Sequence, residues 1–89
     1  MEDLFCVIAF SNTHAAVTVQ KTLSESGYRI FMMPTLREIT AGCGLSVRFS
    51  PNDLSEIQKA VSYMNIEPSL HQFYMVDTRM GRCQISKLD

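Results

Sequence analysis

Apolar and polar positions divide the chain into short apolar runs and longer stretches with helical spacing. The unbroken run Leu4 to Phe10 predicts a strand that is covered on both faces. The alternating segment Leu45 to Phe49 predicts a strand with one face toward the core. Further strands are predicted over 29–33, ended by Pro34, and over 72–77.

Two segments combine helical spacing of apolar residues with signals for helix ends. The first covers roughly 13–26 and follows Ser11 and Asn12, which both offer an N-cap. The second follows the segment 50–53, where three signals indicate a helix start: a serine cap, a proline at the first helical position and an acidic residue at the capping-box position. This second helix is predicted to end near Asn65.

The order of elements is therefore strand, helix, strand, strand, helix, strand, which predicts an α+β protein. Each helix has one apolar face, so both helices should lie on one side of a four-stranded antiparallel sheet. This is the ferredoxin-like βαββαβ sandwich. We expect a single domain over 1–78, followed by a C-terminal tail or an extra edge strand over 79–89.

Composition narrows the class of protein without naming an activity. Of the 89 residues, 46% are hydrophobic, so a small core is expected without metals or disulfides. The formal charge is -1 and no basic patch stands out, so no nucleic-acid partner is expected. The first apolar run is too short to span a membrane. No export signal is visible, and we expect a cytoplasmic location.

The three cysteines fit a reduced compartment better than a disulfide framework. No cysteine or histidine pair has zinc-ligand spacing, and no glycine-rich phosphate loop is present, so no metal or cofactor is expected. Cys6 lies inside the first apolar strand and is predicted to be a core residue.

Cys43 is the candidate functional residue because glycines stand on both sides of it. Gly42 and Gly44 relieve steric limits on the backbone and would leave the sulfur uncovered. A capping-box spacing just after Pro34 predicts one short helical turn over 36–41, with Gly42 as its terminator.

The predicted topology brings the loop over 34–44 to the end of the sheet where the first helix starts. The backbone at Thr13 and His14 would favour a nearby anion, and Arg37 would add a positive charge. A thiolate is the nucleophilic form of cysteine. We therefore expect these residues and the two flanking glycines to form a binding site around the Cys43 sulfur.

These segments resemble the selenium/sulfur carrier-like proteins, a family of small bacterial domains. The resemblance covers about Phe5 to Val76, and its markers are Phe10-Ser11-Asn12-Thr13-His14-Ala15 and the loop Met33-Pro34, Arg37-Glu38-Ile39-Thr40 and Cys43-Gly44. Leu36 stands where the family usually has a second proline. The resemblance implies that Cys43 carries sulfur or selenium as a persulfide or selenosulfide, between a donor and an acceptor protein.

Two other interpretations stay open. The chain could be a non-catalytic module for ligand binding or dimerisation in which Cys43 is incidental, because an exposed edge strand is expected near 28–33. A homodimer is compatible with either interpretation. An enzyme is less expected, because no paired carboxylates or positioned base are visible. A thiol oxidoreductase using Cys43 and Cys83 would need the tail to fold back to the loop.

Overall fold

A computed structural model describes residues 4–39 and 44–88. In these ranges two α-helices and a five-stranded antiparallel sheet form an α+β fold. The elements are β1 (Leu4–Phe10), α1 (Thr13–Glu25), β2 (Ile30–Pro34), β3 (Leu45–Phe49), α2 (Leu54–Tyr63), β4 (His71–Asp77) and β5 (Gln84–Leu88). Short 3-10 turns, Pro51–Asp53 and Pro68–Leu70, precede α2 and β4.

The strand order is β2-β3-β1-β4-β5, and every neighbouring pair is antiparallel. β1 lies in the centre of the sheet, and six of its seven residues are buried. A central strand covered on both faces has no polar side, which explains the unbroken apolar run at Leu4–Phe10. The predicted strand at Leu45–Phe49 is confirmed as β3.

The sheet has five strands where the sequence predicts four. The additional strand is β5, which pairs with β4 from Gln84 opposite Asp77 to Leu88 opposite Phe73. Only Ile85 and Leu88 of β5 are partly buried, and its other residues are exposed. Such a polar edge strand gives only a weak alternation of apolar and polar residues, so the sequence alone did not decide between a tail and an extra edge strand.

The two helices pack on the same face of the sheet. Their buried positions form one cluster with alternate residues of β1, β3 and β4: Cys6, Ile8, Phe10, Ala15, Ala16, Val19, Leu23, Val47, Phe49, Ile57, Val61 and Phe73. Helical spacing and strand alternation direct these side chains into the core between the helices and the sheet, as the apolar spacing of the sequence predicts. We call this side the helix face of the sheet.

The opposite side, here called the open face, carries a second and smaller apolar cluster. Phe5, Val7 and Ala9 of β1 and Val76 of β4 are buried there together with Ile39 from the β2–β3 loop. The described part of this loop, residues 35–39, therefore turns away from the helices toward the open face. Burial of the Ile39 side chain, which is 6% exposed, supplies the driving force for this placement.

The predicted helical turn over 36–41 is wrong for its described part, 36–39. These residues form a turn in which the backbone N–H of Ile39 donates to the carbonyl oxygen of Leu36 at 2.9 Å. The hydroxyl of Thr35, expected to cap a helix, instead lies 2.8 Å from the hydroxyl of Ser46. The remainder of that prediction, including Gly42, falls outside the described residues.

The helix ends follow their sequence signals with small differences. The Asn12 side chain caps α1 by accepting a hydrogen bond from the Ala15 backbone N–H at 2.9 Å. Ser50 accepts from Asn52 N–H at 3.2 Å, but this opens a 3-10 turn, and α2 starts at Leu54. α2 ends at Tyr63, just before Asn65 adopts a left-handed backbone with φ 57°.

Candidate functional site

The base of the β2–β3 loop is held by two hydrogen bonds. The backbone N–H of Thr35 donates to the carbonyl oxygen of Gly44 at 2.9 Å, and the Thr35 hydroxyl lies 2.8 Å from the hydroxyl of Ser46. Ser46 is the one polar residue that is buried within the described ranges, at 1% exposure. The loop therefore starts and ends at fixed points on β2 and β3.

Gly44 lies at the exposed end of this loop base. Its backbone has φ +73°, a left-handed conformation that residues with a Cβ rarely adopt. A Cβ added at this position would meet no atom within 4 Å. The glycine is thus required by backbone conformation and not by lack of space. Cys43 and Gly42, which precede Gly44 in the chain, lie outside the described residues.

The start of α1 lies at the same end of the sheet as Gly44. Ala9 of β1 pairs with Ser46 of β3, so each strand reaches this end within two residues of that pair. We call it the loop end, and the opposite end, near Leu4 and Asp77, the far end. Register thus brings the helix start and the loop base to one end of the sheet, as the topology predicts.

Thr13 and His14 are exposed at the loop end. The backbone N–H groups in the first turn of a helix have no acceptor within the helix. The Asn12 side chain accepts a hydrogen bond from the N–H of Ala15, and the N–H groups of Thr13 and His14 belong to the same turn. The first turn of α1 contains no acidic residue. The helix start therefore has the electrostatic character that favours an anion.

Arg37 is exposed on the β2–β3 loop, but on a different side of the protein from α1. Its neighbours Leu36 and Ile39 pack on the open face, and α1 covers the helix face. Within the described ranges, no hydrogen bond or ion pair joins Arg37 to Thr13 or His14. The structure thus brings Gly44 and the helix start to one end, and it does not join Arg37 to the helix start.

The two described cysteines have very different surroundings. Cys6 is fully buried in β1, as predicted, and this burial raises the pKa of its thiol to about 11. Cys83 is exposed, and its pKa is raised first by loss of surrounding water and second by the negative charge of Glu38. Both thiols therefore hold little thiolate at neutral pH.

Cys83 lies at the far end of the sheet, beside the start of β5. Gln84 pairs with Asp77, and Asp77 pairs with Leu4, whereas Gly44 lies beyond the Ser46–Ala9 pair at the loop end. The seven residues of β1 between these levels correspond to roughly 20 Å. The C-terminal segment thus folds along β4 and does not return to the base of the loop.

Two polar residues near the site have contacts or surroundings that the pattern does not show. Ser46 anchors the loop, and its alternation with Val47 could have assigned it to the open face. His71 starts β4 at the loop end, and its Nδ1 is buried without a hydrogen-bond partner among the described residues. Periodicity gives no signal for the direction in which an imidazole nitrogen points, so the sequence could not have revealed this feature.

The described part of the chain gives no support for two other classes of site. It contains no group of three or more His, Cys, Asp or Glu side chains that could hold a metal ion. None of its helices has both the length and the apolar character needed to cross a bilayer.

The described residues form a small α+β domain in which a hydrogen bond between Thr35 and Gly44 closes the base of the β2–β3 loop. The chain belongs to the family described as "Putative Se/S carrier protein-like", whose model matches residues 5–71. The match runs from β1 to the first residue of β4 and includes the whole β2–β3 loop. Neither the comparison with curated proteins nor that with solved structures gave a match.

Proposed function

We propose that this protein carries sulfur or selenium on Cys43, as a persulfide or selenosulfide, between a donor and an acceptor protein. The observation that carries the proposal is membership of the Se/S carrier-like family across the segment that contains the loop. The protein acts in this proposal as a carrier and not as an enzyme. Its other partners, including a second copy of the chain, and its cytoplasmic location stay predictions.

The transfer step needs no external oxidant or reductant. The Cys43 thiolate attacks the terminal sulfur of a donor persulfide, the donor's S–S bond breaks, and the donor cysteine leaves as a thiolate. A new S–S bond on Cys43 replaces the broken one, so electrons balance. A donor selenosulfide reacts in the same way, with selenium as the transferred atom.

The chemistry of the other two thiols supports the choice of Cys43. Cys6 is inaccessible and has a pKa of about 11, so it cannot present a thiolate to a partner protein. Cys83 is exposed, but the nearby Glu38 carboxylate disfavours its thiolate and would also repel an anionic persulfide. Gly44, which follows Cys43 in the chain, lies at the loop end, where the start of α1 favours negative charge.

The ferredoxin-like classification of the fold also belongs to this proposal. The strand order β2-β3-β1-β4, with both helices on one face, is the order of a split βαβ sandwich, and β5 extends it by one edge strand. This arrangement would leave the loop end open to a partner protein while the core stays intact.

The proposal is tested by incubating the protein with a cysteine desulfurase and isotopically labelled cysteine, followed by intact-mass measurement without reductant. We expect one labelled sulfur atom per chain, released by a thiol reductant. Cys43→Ser should gain none. Cys83→Ser is the matched control, because it also removes an accessible thiol, and it should load like the wild-type protein.

Two results would overturn the carrier function. One is a wild-type protein that gains no sulfur from a desulfurase that loads another acceptor in the same assay. The other is equal loading of the wild type and Cys43→Ser, which would move the reaction to another residue.

A further inference from the structure

The sheet has two edge strands, β2 and β5, and they differ in how they are protected. An edge strand presents unpaired N–H and C=O groups to which another strand can add, and charged side chains discourage that addition. The three exposed residues of β5 are polar, and one of them is Lys87. β2 contains no charged residue, and three of its five residues are exposed. β2 is therefore the unprotected edge among the described strands.

The register with β3 shows which backbone groups of β2 face outward. The N–H of Thr35 donates to the carbonyl oxygen of Gly44, so these two residues form a hydrogen-bonded pair. Hydrogen-bonded and non-hydrogen-bonded pairs alternate along antiparallel strands. Ile30, Met32 and Pro34 are each an odd number of positions from Thr35, so they belong to the non-hydrogen-bonded pairs. The N–H and C=O groups of Ile30 and Met32 therefore point away from the sheet, and Pro34, which has no N–H, follows at the end of the strand.

Apolar side chains flank these outward backbone groups on both faces of the sheet. Met32 pairs with Val47 of the helix-face cluster, so its side chain lies on the helix face, and alternation places Phe31 on the open face. Phe31 is 58% exposed and Met32 is 38% exposed. A strand that adds to this edge would pair its backbone with β2 and cover apolar surface on both faces.

We propose that two copies of this chain pair antiparallel through β2 to form a symmetric dimer. With Phe31 opposite Phe31 of the second copy, Ile30 of each copy lies opposite Met32 of the other. The outward N–H and C=O groups of these residues then bond to one another across the two-fold axis. The two Phe31 side chains meet on the open face, and Ile30 meets Met32 on the helix face.

Charge and symmetry favour a second copy as the occupant of this edge. The net charge of -1 gives two copies little mutual repulsion, and pairing through β2 places no like charges opposite each other. Because Lys87 protects β5, the association closes after one β2–β2 contact and does not continue as a filament.

The short strand also sets the strength of the dimer. A five-residue strand pair covers less than the ~800 Å² per partner that is typical of stable complexes. We therefore expect a dissociation constant on the order of 10–100 µM. Antiparallel pairing places the two loop bases at opposite ends of the interface, so sulfur transfer on one copy does not depend on the other. A failure of the dimer would leave the carrier function untouched.

Sedimentation velocity from ~1 µM to ~1 mM protein tests the association. We expect a shift from monomer to dimer and no larger species. Amide hydrogen exchange under the same conditions tests the pairing: the Ile30 and Met32 amides should exchange about threefold or more slowly at the high concentration. Thr35, whose N–H is bonded to Gly44 within one chain, is the internal reference and should not change. A monomer throughout, or unchanged exchange at Ile30 and Met32, would refute the proposal.

A charge on the edge should break the dimer while the fold stays intact. Met32→Lys gives β2 the protection that Lys87 gives β5, and we expect it to weaken the dimer at least tenfold. Ser86→Lys, which adds the same charge to an exposed position of β5, is the matched control and should dimerise like the wild type. Far-ultraviolet circular dichroism verifies that both variants are folded. An undiminished dimer in Met32→Lys would count against the β2 interface.

Disulfide cross-linking tests the register. In a background of Cys43→Ser and Cys83→Ser, Phe31→Cys should form a covalent dimer on mild oxidation, because directly opposite Cα atoms in a non-hydrogen-bonded pair are ~4.5 Å apart. Arg29→Cys is the control on the same exposed strand side. Its counterpart in the second copy lies four positions away, roughly 13 Å, so it should cross-link at least tenfold less. Equal cross-linking of the two variants would refute this pairing.

Discussion

The backbone N–H of Thr35 donates a hydrogen bond to the carbonyl oxygen of Gly44 at 2.9 Å, which joins the two ends of the β2–β3 loop. The adjacent residues inside the sheet, Pro34 at the end of β2 and Leu45 at the start of β3, form the last pair of the two strands. The loop therefore leaves the sheet and re-enters it at one fixed point. Any partner that approaches residues between these ends meets a segment whose two ends are held by the sheet.

Replacing Gly44 with alanine should destabilise the protein by about 1–2 kcal/mol. The φ of +73° places a Cβ in the left-handed region, and there is no clash that repacking could relieve. The free energy of unfolding from urea titration measures this effect. Gly44→Asn is the control, because asparagine tolerates this backbone better than alanine, and it should lose less stability. A fully stable Gly44→Ala would show that the loop base relaxes readily.

The hydroxyl pair of Thr35 and Ser46 should show strong coupling in a double-mutant cycle. Ser46→Ala or Thr35→Val alone leaves the other hydroxyl without its partner, at a cost of about 1–3 kcal/mol. The double variant removes both polar groups and should cost less than the sum of the two single changes. Urea unfolding of the four proteins gives the coupling free energy, and strictly additive costs would contradict an interaction between the hydroxyls.

Much of the fold was predictable because its apolar spacing is regular. The runs at Leu4–Phe10 and Leu45–Phe49 and the first helix depend on local patterns that tertiary contacts reinforce. β5 was left open because an edge strand buries few side chains and needs little alternation. The segment 36–39 was predicted as helical from its capping-box spacing, but Ile39 gains more from burial on the open face than from one helical turn.

The candidate site was predictable only where topology decides position. The meeting of the α1 start and the loop base at one end follows from strand order and register. The placement of Arg37 on the side of the open face depends on where its neighbours Leu36 and Ile39 pack, which no local signal contains. The influence of Glu38 on Cys83 likewise joins residues far apart in sequence, so only the folded chain reveals it.

Removing the Glu38 charge should increase the reactivity of Cys83. Loss of surrounding water and the Glu38 carboxylate both raise the Cys83 pKa, so Glu38→Gln lowers it and increases the thiolate fraction at neutral pH. Iodoacetamide alkylation as a function of pH, in a Cys43→Ser background, should show its midpoint at lower pH. Glu67→Gln, an exposed acid before β4, is the control and should change nothing. An unchanged midpoint in Glu38→Gln would show that the carboxylate does not act on this thiol.

Asp77 should titrate well below an ordinary aspartate. Its pKa is lowered to about 2 by hydrogen bonds from the Arg79 side chain, helped by the Arg79 backbone N–H. A lowered folded-state pKa stabilises the protein above the unfolded value near ~3.9, and this contribution is lost as pH falls toward about 2. Carboxyl NMR titration should show the pKa rising in Arg79→Gln. The same low value in both proteins would assign the shift to another group.

Cys43 and Cys83 should not form an intramolecular disulfide in the folded protein. Gly44, to which Cys43 is covalently bonded, lies at the loop end, and Cys83 precedes β5 at the far end, so Gly44 and Cys83 are separated by roughly 20 Å along the strands. A disulfide requires Cα atoms within about 7 Å. Mild diamide oxidation followed by non-reducing peptide mapping should therefore give no linked Cys43–Cys83 peptide from monomer, and oxidation in urea should give it readily. A linked peptide under native conditions would mean that the β2–β3 loop or β5 leaves the sheet, and it would return a two-cysteine redox function to consideration.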